Sequence, residues 1–257
     1  MREKALRSTK CLGQYLSSRK SSDSAFLVAT GPSIKEQQLE LLAGHDVFTI
    51  SNAFLHHRIS AINPIVHGFC AYHKPLQKNN FADWIKAANE RLPAGSAMVT
   101  PFSNQCFVGD FGIARQVFFC EHISFRLARR LGWPRMFSEF IPRPATGPLL
   151  LLPIILGAGY KKIYLLGCDH NVLANYGGVI SNFYDPKDDI RVNATSGEAW
   201  GDIKYQCYCL IQVIEQYEYY SKIAQSCDSQ IVNLSPSSWL STFPKKGFLE
   251  ALQVNVS

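Results

Sequence analysis

Phe26-Leu27-Val28-Ala29-Thr30-Gly31-Pro32-Ser33 reads as a buried strand that runs straight into a tight turn and then a helix. Gly31 lets the backbone approach a ligand closely, Pro32 fixes the turn, and Ser33 can cap the helix that follows. A helix N-terminus at the carboxyl end of a parallel strand presents free N–H groups and the positive end of a dipole, which together attract phosphate. The plain alternative is an ordinary strand-to-helix turn. The pattern is neither G-x-G-x-x-G nor a Walker A loop, so neither dinucleotide nor P-loop chemistry is indicated.

Outward from this turn, short β-rich runs alternate with helix-like segments, the order of a mostly parallel sheet covered on both faces. Strands are expected at residues 25–29, 46–51, 65–69, 97–100, 162–166 and 230–234, and helices at 35–42, 81–92, 122–131 and 202–224. Residues 171–200, rich in Asn, Gly, Asp and Pro with interspersed Tyr and Phe, form an irregular segment suited to a lid. The expected fold class is α/β: a Rossmann-like, mostly parallel sheet with helices on both faces and a small lid. Residues 1–22 read as a basic N-terminal segment, and 23–257 as a single domain.

With 257 residues, 47% hydrophobic and 18% charged, the chain can bury one substantial core, which sets disorder aside. A net charge of +6 fits an anionic ligand or acidic headgroups as easily as nucleic acid. No zinc-finger spacing, RNP-like motif or long basic run favours nucleic acid. The longest apolar run, residues 148–156, falls short of the roughly 20 residues that span a bilayer. Residues 1–20 lack the apolar stretch of a secretory signal. The eight cysteines show no C-x-x-C spacing and read as reduced thiols of a cytoplasmic protein, with no metal site.

After Asp46-Val47-Phe48-Thr49-Ile50 come Ser51-Asn52-Ala53, polar residues at a strand end. The ligand crevice of an open α/β sheet lies outside such ends, so Asn52 is placed to bond a nucleotide or sugar, or else its own loop backbone. The densest constellation is Arg143-Pro144-Ala145-Thr146-Gly147, then an apolar helix, then the strand at 162–166 ending in Gly167-Cys168-Asp169-His170. Parallel connections bring the start of that helix and the end of that strand to one edge. Thr146 and Gly147 offer a hydroxyl and open amides to an anion, and Arg143 offers charge-assisted hydrogen bonds. Beside this stands the plainer view that Thr146 caps its helix and Arg143 is a surface charge. Asp169 is placed to orient a ribose or acceptor hydroxyl. His170, with an unperturbed pKa near neutrality, suits a general base, although a lone histidine is more often structural. Asp185, Asp188 and Asp189 read as a solvated turn.

Taken together, residues 29–36, Asp46-Val47-Phe48 with Asn52, residues 143–147 and residues 156–169 resemble, in order, the conserved blocks of the bacterial sialyltransferases of glycosyltransferase family 42. Residues 70–140 are unmatched. The resemblance implies a nucleotide-sugar-binding Rossmann-like domain with a lid and an inverting transfer from a CMP-activated sialic or ulosonic acid. It implies no metal or other cofactor, a glycan or glycolipid acceptor of lipopolysaccharide or capsule biosynthesis, and peripheral contact with the cytoplasmic face of the inner membrane. By position it assigns Thr30, Gly31, Pro32, Ser33 and Asn52 to the nucleotide and phosphate, Arg143, Thr146 and Gly147 to the sugar carboxylate, and Asp169 to the site edge. The family's catalytic histidine has no counterpart in residues 195–202, which leaves His170 and Glu198 as candidate bases. Tyr176 and Tyr184 match the family's paired lid tyrosines loosely.

The G-P-S turn, the strand end at Asp169 and Asn193-Ala194-Thr195-x-Gly197 also resemble the MptE-like pterin diphosphokinases. That keeps open an ATP- and magnesium-dependent phosphoryl transfer, and the missing histidine keeps open a non-catalytic nucleotide-binding protein. The oligomeric state, a homo-oligomer included, is not fixed by these residues.

Overall fold

The computed structural model describes residues 2–109, 113, 115–132, 140–178, 181–191 and 201–252. Seven strands form one parallel sheet: β1 (Ser24–Val28), β2 (Asp46–Ile50), β3 (Val66–Gly68), β4 (Ala97–Pro101), β5 (Val117–Cys120), β8 (Lys162–Leu166) and β9 (Gln230–Asn233). Their spatial order is β5-β4-β3-β2-β1-β8-β9. A separate parallel pair joins β6 (His122–Ile123) to β7 (Ile141–Pro142). The chain winds outward from β1 in one direction, then returns to β1 and winds in the other, so the switch point of this Rossmann-like sheet lies between β1 and β8.

Alternation along β1 explains why its sequence is apolar throughout. Ala25 and Leu27 face one core, and Phe26 and Val28 face the other, so period two buries every position of a doubly covered strand. The first core is filled by α6 (Pro148–Gly157), whose residues 148–156 are all buried. A helix apolar all round must sit inside the protein. It is closed by α7 (Ile203–Ser226) and by Leu12 and Leu16 of α1 (Arg2–Arg19). The basic N-terminal segment is thus built into the main core. A third cluster gathers under α3 (Lys78–Arg91) around Phe81, Trp84 and Ile85. Among the described residues no helix is long and apolar enough to cross a membrane.

All six expected strands form. Three expectations need correction. Residues 35–42 do not make an α-helix but two short 3-10 turns, Pro32–Glu36 and Leu39–Leu42, split at Gln37. Gln37 takes an extended backbone and sends its side-chain amide to Leu234 O at 2.6 Å. Residues 122–131 begin as β6, and only Phe125–Leu131 is helix (α5), capped by Ser124 accepting from Leu127 N. Asp189 does not lie in a solvated turn: it is 3% exposed and paired with Arg191.

Candidate functional site

A cavity of about 1510 Å³ opens at the carboxyl edge of the sheet, over the switch point. This exceeds the roughly 300–1,000 Å³ of a typical small-molecule pocket. Thr30, Gly31 and Pro32 after β1, Ser51 after β2, and Gly167 to His170 after β8 form its floor. Arg143 to Pro148, leading into α6, form one wall; Lys74, Lys78 and Trp84 form another. Distant stretches of sequence converge here because parallel strands deliver all their carboxyl ends to one edge.

The turn after β1 is arranged differently from expectation. Ser33 donates to Asp169 Oδ2 through its backbone N–H at 3.1 Å and its hydroxyl at 2.9 Å, and Gly31 N–H donates to Gly167 O at 2.9 Å. Of the amides expected to meet a phosphate, that of Ser33 is therefore taken by the chain's own carboxylate and that of Gly31 by the Gly167 carbonyl, and Ser33, itself buried, is not the cap. Asp169 is 2% exposed and also accepts from the Ser237 hydroxyl at 3.4 Å. Its role is to lock β8 against β1. Gly31 is required by this closeness, since a Cβ there would lie 1.9 Å from Asp169 Oδ2 and 2.5 Å from Gly167 O. Gly167 stands at φ 66°, with Ile34 2.7 Å from where a Cβ would be. Gly31→Ala is expected to cost about 1–3 kcal/mol by overpacking. Adding Asp169→Ala should not restore stability, because the Gly167 carbonyl remains in the way; paired thermal melts check this.

The start of α6 keeps the anion-binding character expected of it. Gly147 is its N-cap with no side-chain cap, and Pro148 at the first position brings no N–H. Leu149 and Leu150 N–H donate to Thr146 O and Gly147 O at 3.1 and 2.9 Å. What this start offers an anion is therefore the amides of Thr146 and Gly147, which have no partner among the described residues. Arg143 is exposed at the cavity, and neither it nor Lys74 nor Lys78 belongs to an ion pair among the described residues. The lining carboxylates are both committed, Asp169 to Ser33 and Asp189 to Arg191. The wall is therefore net positive.

The loop that carries Arg143 is held by a residue the sequence reading missed. Buried Gln216 on α7 accepts from Ala145 N–H at 3.1 Å and donates to Arg143 O at 3.2 Å. A glutamine among the buried positions Val213, Tyr217 and Tyr220 of one helix was the available signal.

Other assigned residues lie elsewhere or are already engaged. Asn52 is fully buried off the cavity lining, and the Trp84 indole N–H donates to its Oδ1. Tyr176 is 38% exposed and off the lining. Tyr184 lines the cavity, but its hydroxyl is held by Arg191 at 2.7 Å and Asp189 at 3.2 Å. Burial is the main cause that pushes this phenol up to about 12. Glu198 lies outside the described residues. His170 lines the cavity at φ 51°, with Nε2 2.9 Å from Tyr217 OH, and burial lowers its pKa to about 4. The near-neutral pKa that recommended it is therefore absent, as it is for His122 in the same cavity.

Among the described residues no group of His, Cys, Asp and Glu gathers as it would around a metal ion. All eight cysteines are free thiols.

No protein-family model matches the chain, and no curated protein matches it significantly. Among solved structures it is similar to the sialyltransferase CstII from Campylobacter jejuni in complex with cytidine-5'-monophosphate, at 17% identity, covering 86% of this chain and 84% of that one, with a TM-score of 0.49. A further structure of that enzyme, with trisaccharide acceptor and CMP, matches at 15% identity over 86% of this chain and 85% of that one, with a TM-score of 0.47. The MAf glycosyltransferase from Magnetospirillum magneticum AMB-1 matches at 12% identity over 94% of this chain but 38% of that one, with a TM-score of 0.53. At these identities the likeness concerns the fold alone.

Proposed function

We propose that this chain is a glycosyltransferase that moves a sialic acid or related ulosonic acid from a CMP-activated donor to a glycan or glycolipid acceptor, with inversion and without a metal. The observation that carries this is the cavity at the switch point, walled by Arg143, Lys74 and Lys78, which form no ion pair among the described residues, and by the Thr146 and Gly147 amides at the start of α6. A CMP-ulosonate brings two anionic groups, a carboxylate and a phosphodiester, to a site with separate cationic walls. A cavity of this volume leaves room beside a nucleotide-sugar for an acceptor. The four ordered sequence blocks support the same reading. Thr30, Gly31 and Pro32 border the nucleotide by shape, as the anion-binding amides beyond them are occupied. Arg143, Thr146 and Gly147 receive the acidic sugar. Departure of CMP is eased by donors fixed in place before the reaction. Work at the cytoplasmic face of the inner membrane follows if the acceptor is lipid-linked.

The pterin diphosphokinase reading needs carboxylates free for magnesium, and of the carboxylates lining the cavity Asp189 is taken by its bidentate pair with Arg191 and Asp169 by Ser33. Calorimetry with CMP, CMP-N-acetylneuraminic acid and ATP separates the readings. CMP and its sugar should bind equally with EDTA or magnesium. Arg143→Ala should weaken the CMP-sugar by about tenfold to a hundredfold, the worth of a charge-assisted hydrogen bond, while changing CMP little. Binding of ATP with magnesium and none of CMP would end the proposal.

A further inference from the structure

β6 and β7 contribute two residues each, yet their pairing decides what faces the cavity. His122 pairs with Ile141 and Ile123 with Pro142, and Arg143 N–H donates to Ile123 O at 2.8 Å. Paired residues of parallel strands share a face and alternate along each strand, so His122, Ser124, Ile141 and Arg143 lie on one side. Ile141 is fully buried as the foundation, while His122, Ser124 and Arg143 line the cavity. The β6 half of this platform lies in the stretch without a matching sequence block.

We propose that His122 is the general base of the transfer, accepting the proton of the attacking hydroxyl; this rests on the glycosyltransferase reading above. The hydroxyl proton passes to the unprotonated ring nitrogen as the oxygen's electron pair forms the bond to the anomeric carbon. The bond from that carbon to the phosphate oxygen breaks, CMP leaves with the electron pair, and the imidazolium returns its proton to water.

Two observations favour His122 over His170. The fully buried Tyr217 phenol, kept protonated by burial, lies 2.9 Å from His170 Nε2 and also bonds the Cys168 side chain, so the His170 ring is tied to a strong, buried partner. Turning toward a substrate would cost His170 that bond and leave a buried hydroxyl oxygen unpaired. His122 has instead a weak contact, Nε2 to Cys120 Sγ at 3.6 Å, that it can give up without leaving a strong partner unsatisfied. The charged and titratable groups around it are Arg143, Cys120, Glu121 and, beside Cys120, Cys70. Burial first, and the Arg143 charge second, hold the free imidazole down at about 4. An anionic donor seated on Arg143 cancels the second influence. The base therefore strengthens when the donor arrives, which restrains proton abstraction in its absence.

The test measures cleavage of CMP-N-acetylneuraminic acid, with water or an oligosaccharide as acceptor, together with CMP affinity. His122→Asn should lower kcat by about 10²–10⁴-fold, the usual worth of a positioned base, with CMP affinity within about threefold, since a base contributes to the step and not to ground-state binding. In His122→Ala, added imidazole should restore part of the rate. Titration of the His122 ring by NMR should show its pKa rising when CMP-sugar binds the wild-type chain, and not in Arg143→Gln. Undiminished turnover in His122→Asn, or an unmoved imidazole pKa, overturns the proposal while leaving the glycosyltransferase reading intact. A folded wild-type chain that cleaves no CMP-sugar ends both.

Discussion

Acidification from neutral pH to about pH 4.5 is expected to remove most of this protein's stability, because four imidazoles must be protonated against their surroundings. His56, His122 and His170 are each held at about 4, and His67 at about 3, against an ordinary value of 6.5. Burial is the leading cause in every case. Hydrogen bonds fit the neutral rings: His56 Nδ1 accepts from Arg58 N–H at 3.2 Å, and His67 Nδ1 lies 2.8 Å from the Thr49 hydroxyl. The folded pKa values are depressed, so below 6.5 the unfolded chain binds more protons than the folded one. Stability is full above that value, falls as pH drops through the interval, and levels off only below the folded values. A gap of two pH units is worth about 2.7 kcal/mol per group, and native proteins hold about 5–15 kcal/mol in total. Thermal melts from pH 7 to 4.5 should show the midpoint collapsing, and His67→Gln, which removes one of the four titrations, should flatten the curve. A midpoint that stays level over this range would show that these rings are solvated.

The sheet was legible because a doubly covered parallel strand must be apolar at every position, and six such runs stand out between turn residues. β5, β6 and β7 were not, since two to four residues carry no periodicity of their own. The missed base candidate follows from that failure: His122 reads as the start of a helix until β7, about twenty residues later, is known to pair with it. The Arg143–Gly147 wall was found because an uncapped helix start after a basic residue is a local pattern. The closing of the Gly31 turn by Asp169 was not, because the same Gly, Ser and Asp serve equally to hold a phosphate or to replace one. Only the 2.9 Å contact between Ser33 and Asp169 decides which.

Arg191→Met should be among the most damaging single changes in the described chain, costing about 3–5 kcal/mol by leaving a buried carboxylate without its partner. Arg191 grips Asp189 with Nε to Oδ1 at 2.9 Å and a terminal nitrogen to Oδ2 at 2.7 Å, and its guanidinium lies 4.9 Å from the centre of the Trp84 ring. Trp84 in turn bonds Asn52, and Tyr184 bonds both members of the pair. For a chain of this size a loss of 1 kcal/mol lowers the midpoint by about 2–4 °C, so a fall of roughly 6–20 °C is expected at pH 7. Replacing both partners by apolar residues, Asp189→Leu with Arg191→Met, should recover most of it, since the desolvation of both charges disappears together. The pH dependence separates this from a simple packing defect. Burial would raise the Asp189 pKa, but the hydrogen bonds and charge of Arg191 outweigh it and hold the carboxyl below its ordinary 3.8. In the wild-type chain the pair is therefore intact above 3.8 and lost as pH falls past it. Without the Arg191 side chain, burial is opposed only by the Tyr184 hydroxyl, the Asn52 side chain and the backbone N–H of residue 191, so Asp189 takes up a proton earlier, and the deficit relative to wild type should narrow as pH drops from 7 to 5. A deficit below about 1 kcal/mol, or one indifferent to pH, would mean that the pair is solvated like an ordinary surface ion pair, and the cavity wall built on it would lose its anchor.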